Sequence, residues 1–359
     1  MTVCILGNGL TALTLAKALV NHEINVDVFF NKKNLKINDT RTIGITKDNI
    51  NFFNKNIINL EKIIWKLNRI EIFSENLKDE KLINFETKKD QLFSILKNQK
   101  LYKLLEKDLS KNKFFNSKYY NKENFFLLDK YDLIINCDSS NFITNRYFSK
   151  KIVKKYNSNA HTTIIKHDPI LNDTAVQIFT KKGPLAFLPI SNRETSVVYS
   201  LYNSNNLKNE NIEQLIKDKN LRYEIKSIEK INSFKLMSLN LRTYYYKNIL
   251  AFGDLLHMIH PLAGQGFNMT IRDIQILLKI IKKRLDVGLS IDSSVSHEFQ
   301  NKIRHKNLIF SNSIDLIHEL FNIERKLKTD LLSKSIKMIG NYPSINKIFT
   351  KIADRGSLF

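Results

Sequence analysis

Glycine is scarce in this chain, ten of 359 residues, and proline scarcer at five. Where they gather, they mark backbone geometry that other residues cannot adopt. The first gathering constrains the fold most. An apolar run at residues 2–6 leads into Gly7-Asn8-Gly9-Leu10-Thr11-Ala12. Next comes an amphipathic stretch carrying Leu10, Leu13, Leu15, Ala16 and Leu19, and then Ile24 to Phe30. The periodicities predict strand, turn, helix and strand, a βαβ opening with parallel strands and a right-handed crossover. In such a turn Gly7 permits the sharp bend. Gly9 leaves no side chain between the backbone and a pyrophosphate, which meets the free N–H groups at the helix start. Ala12 stands where a third glycine often lets helix and strand pack closely. A plain glycine turn in an unrelated α/β protein has the same spacing, so the motif by itself leaves that alternative open.

Further along, residues 131–138 read as a core strand. From about 160 to 245 the pattern turns to period-2, β-branched segments: Thr162 to Ile165, Ala175 to Phe179, Leu185 to Pro189 and Thr195 to Leu201. Such runs predict an antiparallel sheet with one wetted face. Ile249 to Phe252 then restores a short buried strand, followed by a glycine-bearing turn, a helix over about 267–285 and a helical remainder. A parallel-type domain is thus interrupted by an antiparallel one and resumed.

Composition closes off several classes. Hydrophobic residues at 43% and charged residues at 26% exclude a disordered tail or a fibrous repeat. Two cysteines, Cys4 and Cys137, exclude a disulfide scaffold or a multi-cysteine metal centre, and fit a reducing compartment. The 57 basic against 35 acidic residues give +22. The lysines are spread along the whole chain without a zinc finger, basic zipper or RNA-binding aromatic signature, so no nucleic acid is expected. They read as a solvated face, or as one that adsorbs to an anionic membrane surface. No segment approaches the roughly 20 apolar residues of a spanning helix, and the chain opens apolar without a basic leader. The expected location is cytoplasmic, with a peripheral contact on the inner membrane face.

The late glycine cluster carries the chemistry. Asp254, at a strand's C-terminal end, can accept hydrogen bonds from ligand hydroxyls, and Gly264 and Gly266 bare the backbone where a helix begins near Phe267. The positive end of that helix favours negative charge. Pro261 would hold the loop rigid. Asn268 and Asp273 fit helix and loop stabilisation as well as ligand contact. His257 and His260 stand three apart, but no third ligand with supporting spacing accompanies them, so no metal is expected.

The run Gly253-Asp254-Leu255-Leu256-His257-Met258-Ile259-His260-Pro261-Leu262-Ala263-Gly264-Gln265-Gly266-Phe267-Asn268, with Asp273 beyond it, resembles the flavin-binding signature of the FAD-dependent aromatic-ring monooxygenases. Its nearest likeness is to their ubiquinone-biosynthesis hydroxylases. Three other stretches are similar to the same family. Asp39 to Ile45 resembles the segment whose arginine, here Arg41, reaches the flavin's ribityl–phosphate region. Lys89-Asp90-Gln91-Leu92 with Leu96 stands in the place of a short helix start that carries a cofactor contact. Ala175 to Phe179 with Gly183 to Pro189 resembles the substrate-domain strand pair. The chain departs from the family where Phe29-Phe30-Asn31 replaces a glutamate that bonds the adenosine ribose. It departs again where Asp138-Ser139 replaces an Asp-Gly pair, and where Leu255 and Leu256 replace two alanines.

The resemblance implies an α/β fold: a Rossmann-like FAD-binding domain of the glutathione-reductase-like, para-hydroxybenzoate-hydroxylase type, interrupted by an antiparallel-sheet substrate domain, with C-terminal helices. It divides the chain into FAD-binding parts at 1–70, 88–160 and 246–300, substrate-domain parts at 71–87 and 161–245, and a helical region at 301–359. FAD would be bound by Gly7, Gly9, Leu10, Thr11, Ala12, Asn31, Arg41, Lys89, Asp254, Pro261, Gly264, Gln265, Gly266, Phe267 and Asn268, with Pro261 and His260 facing the chemistry. The implied reaction is hydroxylation of a polyprenylated phenol or quinone precursor of ubiquinone, with NADH or NADPH as transient electron donor and dioxygen as co-substrate. Other ubiquinone-biosynthesis proteins are the implied partners. The alternatives are another flavin oxidoreductase of the same fold, or a non-catalytic member of a quinone-synthesis complex.

Overall fold

A computed structural model describes residues 2–30, 40–75, 80–86, 91–119, 130–202, 209–260, 265–327 and 334. In chain order the first elements are β1 (Thr2–Leu6), α1 (Leu10–Val20), β2 (Asn25–Phe30), β3 (Thr42–Thr46), α2 (Lys47–Asn56), β4 (Trp65–Leu67), β5 (Arg69–Ser74) and β6 (Glu80–Glu86). They are followed by β7 (Phe93–Lys97), α3 (Asn98–Leu109), β8 (Phe115–Tyr119), β9 (Ile134–Asn136), α4 (Phe142–Tyr147), β10 (Lys151–His167), β11 (Thr174–Thr180), β12 (Gly183–Pro189) and β13 (Glu194–Tyr202). The last are α5 (Asn209–Asp218), β14 (Ile225–Ile228), β15 (Asn232–Leu241), β16 (Tyr245–Tyr246), β17 (Ile249–Ala251), β18 (His257–Met258), α6 (Gln265–Asp286) and α7 (Ser293–Leu327).

The βαβ opening forms as its pattern predicts. β1 pairs in parallel with β2 on one side and β9 on the other, and the sheet runs β16-β17-β9-β1-β2-β8. Val3 to Leu6 are all buried, the near-continuous apolar run of a strand covered on both faces. From β1 the chain builds outward through β2 to β8, then crosses to lay β9 and β17 on the opposite side. The strand order therefore reverses between β1 and β9. In open α/β sheets the crevice at the C-terminal ends of such a pair is where ligands bind.

The second sheet is the expected antiparallel one and has nine strands, ordered β18-β15-β10-β13-β12-β11-β5-β6 with β14 alongside β10. Its core is Ile165, Ile178, Leu185, Phe187, Val197 and Tyr199 under α5. β5 joins it by pairing in parallel with β11, residues more than a hundred positions away. A third sheet, β3-β7-β4, packs on both: Ile43, Ile45 and Leu96 join the core around β1, and Leu67 and Ile95 cluster with Ala175 of β11. The assignment of chemistry-bearing segments to a flavoprotein-type α/β fold with C-terminal helices thus agrees with the architecture.

Three local expectations are corrected. The long antiparallel run begins at Lys151 and not at about 160, because the first half of β10 pairs only with β15 and leaves Lys151, Ile152 and Val153 all exposed, which hides any alternation. The strand over 131–138 is confined to β9, since Asn136 turns its side chain into a hydrogen-bonded loop. Gln91 to Leu96 is not a helix start: β7 occupies 93–97 and α3 begins at Asn98. The signal was there in Leu101, Leu105 and Leu109, spaced four apart and buried along one face of α3.

Candidate functional site

The C-terminal ends of β1, β9 and β17 meet at two turns. At the first, Gly7 has φ +111 and its N–H donates to Phe29 O at 2.7 Å. A Cβ on Gly7 would stand 3.4 Å from Asp138 Cβ and Cys137 C, so the bend seats β1 against the loop after β9. Gly9 caps α1 with an ordinary φ of −70, and a Cβ there would meet nothing within 4 Å. Gly9 is therefore not required by the protein's own packing. Ala12 is buried, and Leu10 and Thr11 are partly buried.

The second turn, Gly253–Leu255, follows β17. Gly253 has φ +66, and a Cβ on it would lie 2.6 Å from Thr11 Cγ2. Two motifs separated by some 240 positions in sequence thus touch through Thr11 and Gly253. Asp254 is exposed beside them and takes part in no hydrogen bond or ion pair among the described residues. The loop at Asp138 is held by its own network: Asp138 Oδ1 accepts from Ser140 N at 2.8 Å, and Thr144 Oγ1 donates to Asp138 O at 2.7 Å.

The start of α6 brings the third element. Among the described residues, a Cβ on Gly266 would again meet nothing within 4 Å, and Phe267 lies half-buried near Phe53. Asn268 is spent within the protein. Its Oδ1 accepts from Thr46 N at 3.1 Å and Asn49 Nδ2 at 2.9 Å, and its Nδ2 donates to Gly44 O at 3.0 Å. It pins α6 to β3, the strand that follows Arg41. Arg41 is exposed, but its neighbours are tied to the large sheet: Asn232 Nδ2 donates to Thr40 Oγ1 at 2.9 Å, and Thr42 Oγ1 and Ser196 Oγ are 2.8 Å apart. Asn98 N donates to Arg41 O at 3.0 Å, so the first turn of α3, with Gln99, stands beside Arg41. The helix start was expected nearer Lys89.

His257 is buried and bonded through Nε2 to Asp273 Oδ2 at 2.6 Å, which ties β18 to α6. Burial alone would raise the Asp273 carboxyl, but the charges of Arg272 and His257 and their hydrogen bonds hold it below the usual range. His260 is only 1% exposed, and neither ring nitrogen has a hydrogen-bond partner among the described residues. Its ring meets Tyr156 edge-on at 4.9 Å and His318 at 4.6 Å. Burial, and then the neighbouring His318, push its pKa down to about 3. Tyr156 in turn bonds Asp315 on α7. Asn31, Lys89, Pro261 and Gly264 lie outside the described residues, as does the side chain of Gln265.

The residues present fit a dinucleotide. Open space stands over two glycines at helix starts, an unengaged carboxylate lies beside them, and the whole borders the crevice where strand order reverses.

Comparison with known proteins agrees. Curated relatives include the mitochondrial ubiquinone biosynthesis monooxygenase COQ6 of Dictyostelium discoideum, 24% identical over 223 residues, covering 52% of this chain and 45% of that protein. The 3-demethoxyubiquinol 3-hydroxylase of Escherichia coli K12 is 30% identical over 166 residues, covering 44% of this chain and 41% of that one. The chain thus spans about half the length of the curated relatives it matches. Among solved structures, a variant of Klebsiella pneumoniae HpxO in complex with FAD superposes with a TM-score of 0.74 at 12% identity, covering 98% of this chain and 99% of that one. The expected fold is met there, and the resemblance to the ubiquinone-biosynthesis hydroxylases is met by the curated relatives. The family model described as squalene epoxidase matches residues 131–331, more than half of the sequence, and the chain belongs to that family.

Proposed function

We propose that this chain is an FAD-dependent monooxygenase that hydroxylates the aromatic ring of a polyprenylated phenol or quinone precursor in ubiquinone biosynthesis, using NADH or NADPH and dioxygen. The observation that carries the reading is the contact of the two glycine turns through Thr11 and Gly253, with space over Gly9 and Gly266 left open by the described residues and an Asp254 beside them that bonds none of those residues. FAD, when bound, supplies electron transfer from the nicotinamide and activation of dioxygen; the protein supplies binding, orientation and exclusion of water. Gly9, Leu10, Thr11 and Ala12 would receive the pyrophosphate at the start of α1, with Asn31 at the adenosine side. Asp254 would accept ribityl hydroxyls, and Arg41, with its fixed charge and planar fork, would reach the phosphate or ring edge. Lys89, Gly264, Gln265, Gly266 and Phe267 would complete the cradle, and Asn268 would shape it by fixing α6 to β3. Pro261 and His260 would border the reacting ring. The named relatives support the substrate class, since two of them are ubiquinone-biosynthesis hydroxylases by name.

Such a substrate resides in the bilayer, and the +22 charge supports docking at an anionic membrane surface, where other ubiquinone-biosynthesis proteins would be partners. The decisive experiment incubates FAD-loaded protein with NADH or NADPH, oxygen and extracted membrane lipid, and analyses the quinone precursors. A hydroxylated ring matched by nicotinamide oxidation is expected. Flavin that neither nicotinamide reduces, under any substrate condition, overturns the reading.

A further inference from the structure

Among the described residues, β2 ends at the dinucleotide crevice without a free acid. In folds of this kind an acidic side chain about 20 residues past the glycine turn bonds the adenosine ribose. The single carboxylate of β2, Asp27, sits three residues short of the strand's end, only 5% exposed. It accepts hydrogen bonds from Tyr131 Oη and, at 3.2 Å, from Lys118 Nζ. What stands at the edge is aromatic. Phe30 and Tyr119 are register partners across the parallel β2–β8 pair, and their rings lie 4.6 Å apart at 56°. Tyr119 is 57% exposed. Phe30 follows Phe29, whose carbonyl accepts the Gly7 N–H. The ring pair therefore begins one residue from the turn that would hold the pyrophosphate. From β1 to β8 is two strand spacings, about 10 Å, a span that a ribose and its base would bridge.

We propose that the Phe30–Tyr119 pair is the adenine platform of the site, the base stacking on the exposed face of Tyr119 while Phe30 backs that ring from beneath. The inference rests on the reading of the crevice as an FAD site and names how this chain grips the half of FAD that takes no part in the chemistry. Stacking needs no charge and tolerates small displacements of the ring, so it can hold an adenosine where the acidic hydrogen-bond acceptor is missing.

The test is calorimetric titration of apo-protein with FAD, FMN and ADP, comparing wild type with Tyr119→Ser, Tyr119→Phe and Phe30→Leu. Affinity for FAD and for ADP should fall on the order of 10-fold in Tyr119→Ser and be kept in Tyr119→Phe. Phe30→Leu should show a smaller fall. FMN, which lacks adenosine, should bind all four proteins alike, and apo-protein melting should hardly move in the two Tyr119 variants because Tyr119 is mostly exposed. Unchanged FAD and ADP affinity in both Tyr119→Ser and Phe30→Leu overturns the proposal and leaves the hydroxylase reading standing. FMN weakened as much as FAD overturns it too, since the pair would then be propping the fold. Wild-type protein that binds neither FAD nor ADP overturns both.

Discussion

A glycine can be demanded by its neighbours or by a ligand, and Gly253 and Gly9 separate the two. Gly253 combines a left-handed φ of +66 with Thr11 at 2.6 Å from any added Cβ. Gly253→Ala should therefore destabilise the apo-protein by about 1–3 kcal/mol, the scale of local backbone strain, read by denaturant unfolding. Gly9→Val should leave that unfolding curve in place, because none of the described residues occupies the space, yet abolish stoichiometric FAD binding after dialysis. Retained FAD would remove Gly9 from the site. His260 makes a second residue-scale case. An unfolded imidazole takes up a proton near 6.5, whereas the folded one resists to about 3. Between those values the unfolded state binds more protons, so the stability from keeping His260 neutral is complete above about pH 6.5 and is lost as pH falls toward 3, at up to about 1.4 kcal/mol per pH unit. His260→Gln should flatten the acid limb of stability against pH by roughly that slope; an unchanged limb would place the titration elsewhere.

At the scale of elements, α6 is fixed to β3 by one side chain. Asn268→Leu would leave the Thr46 N–H and the Asn49 amide without their acceptor and Gly44 O without its donor. That should cost about 2–4 kcal/mol in chemical unfolding, the range for buried groups left unsatisfied. An effect under about 0.5 kcal/mol would mean that the three groups find other partners. This residue was legible in the sequence as part of a flavin signature, but its partners were not, because they lie some 220 positions away. The same limit explains β7 and α3. Residues 89–96 match a family segment by spacing, yet pairing with β3 and β4 makes 93–97 a strand, and the helix waits until the next apolar repeat.

For the whole molecule the question is where +22 charges act. If they serve docking at lipid, the full chain should co-sediment with vesicles containing anionic lipid, release as salt rises past the point where the screening length is about 8 Å, and ignore neutral vesicles. Equal binding to neutral vesicles would shift the contact to the exposed apolar row on α7, Ile309, Leu316, Leu320 and Ile323. Binding to neither would leave the lysines as solvated surface. No helix among the described residues is long and apolar enough to cross a membrane, so a surface contact is the form of association this experiment addresses.

The sequence by itself determined the βαβ opening, the antiparallel middle and the two glycine turns. Each is written in local terms: the period of burial along a strand or helix, and a glycine where the chain must bend. Only the tertiary structure decided what those pieces meet. It set Gly253 against Thr11, spent Asn268 on β3, took β5 and β6 into a sheet with strands a hundred positions later, and closed Asp27 off with Lys118 and Tyr131 while leaving Phe30 and Tyr119 at the edge. A burial pattern records that a face is covered. It holds no record of which distant side chain covers it, because that partner is selected by shape and hydrogen bonding once the sheets have packed.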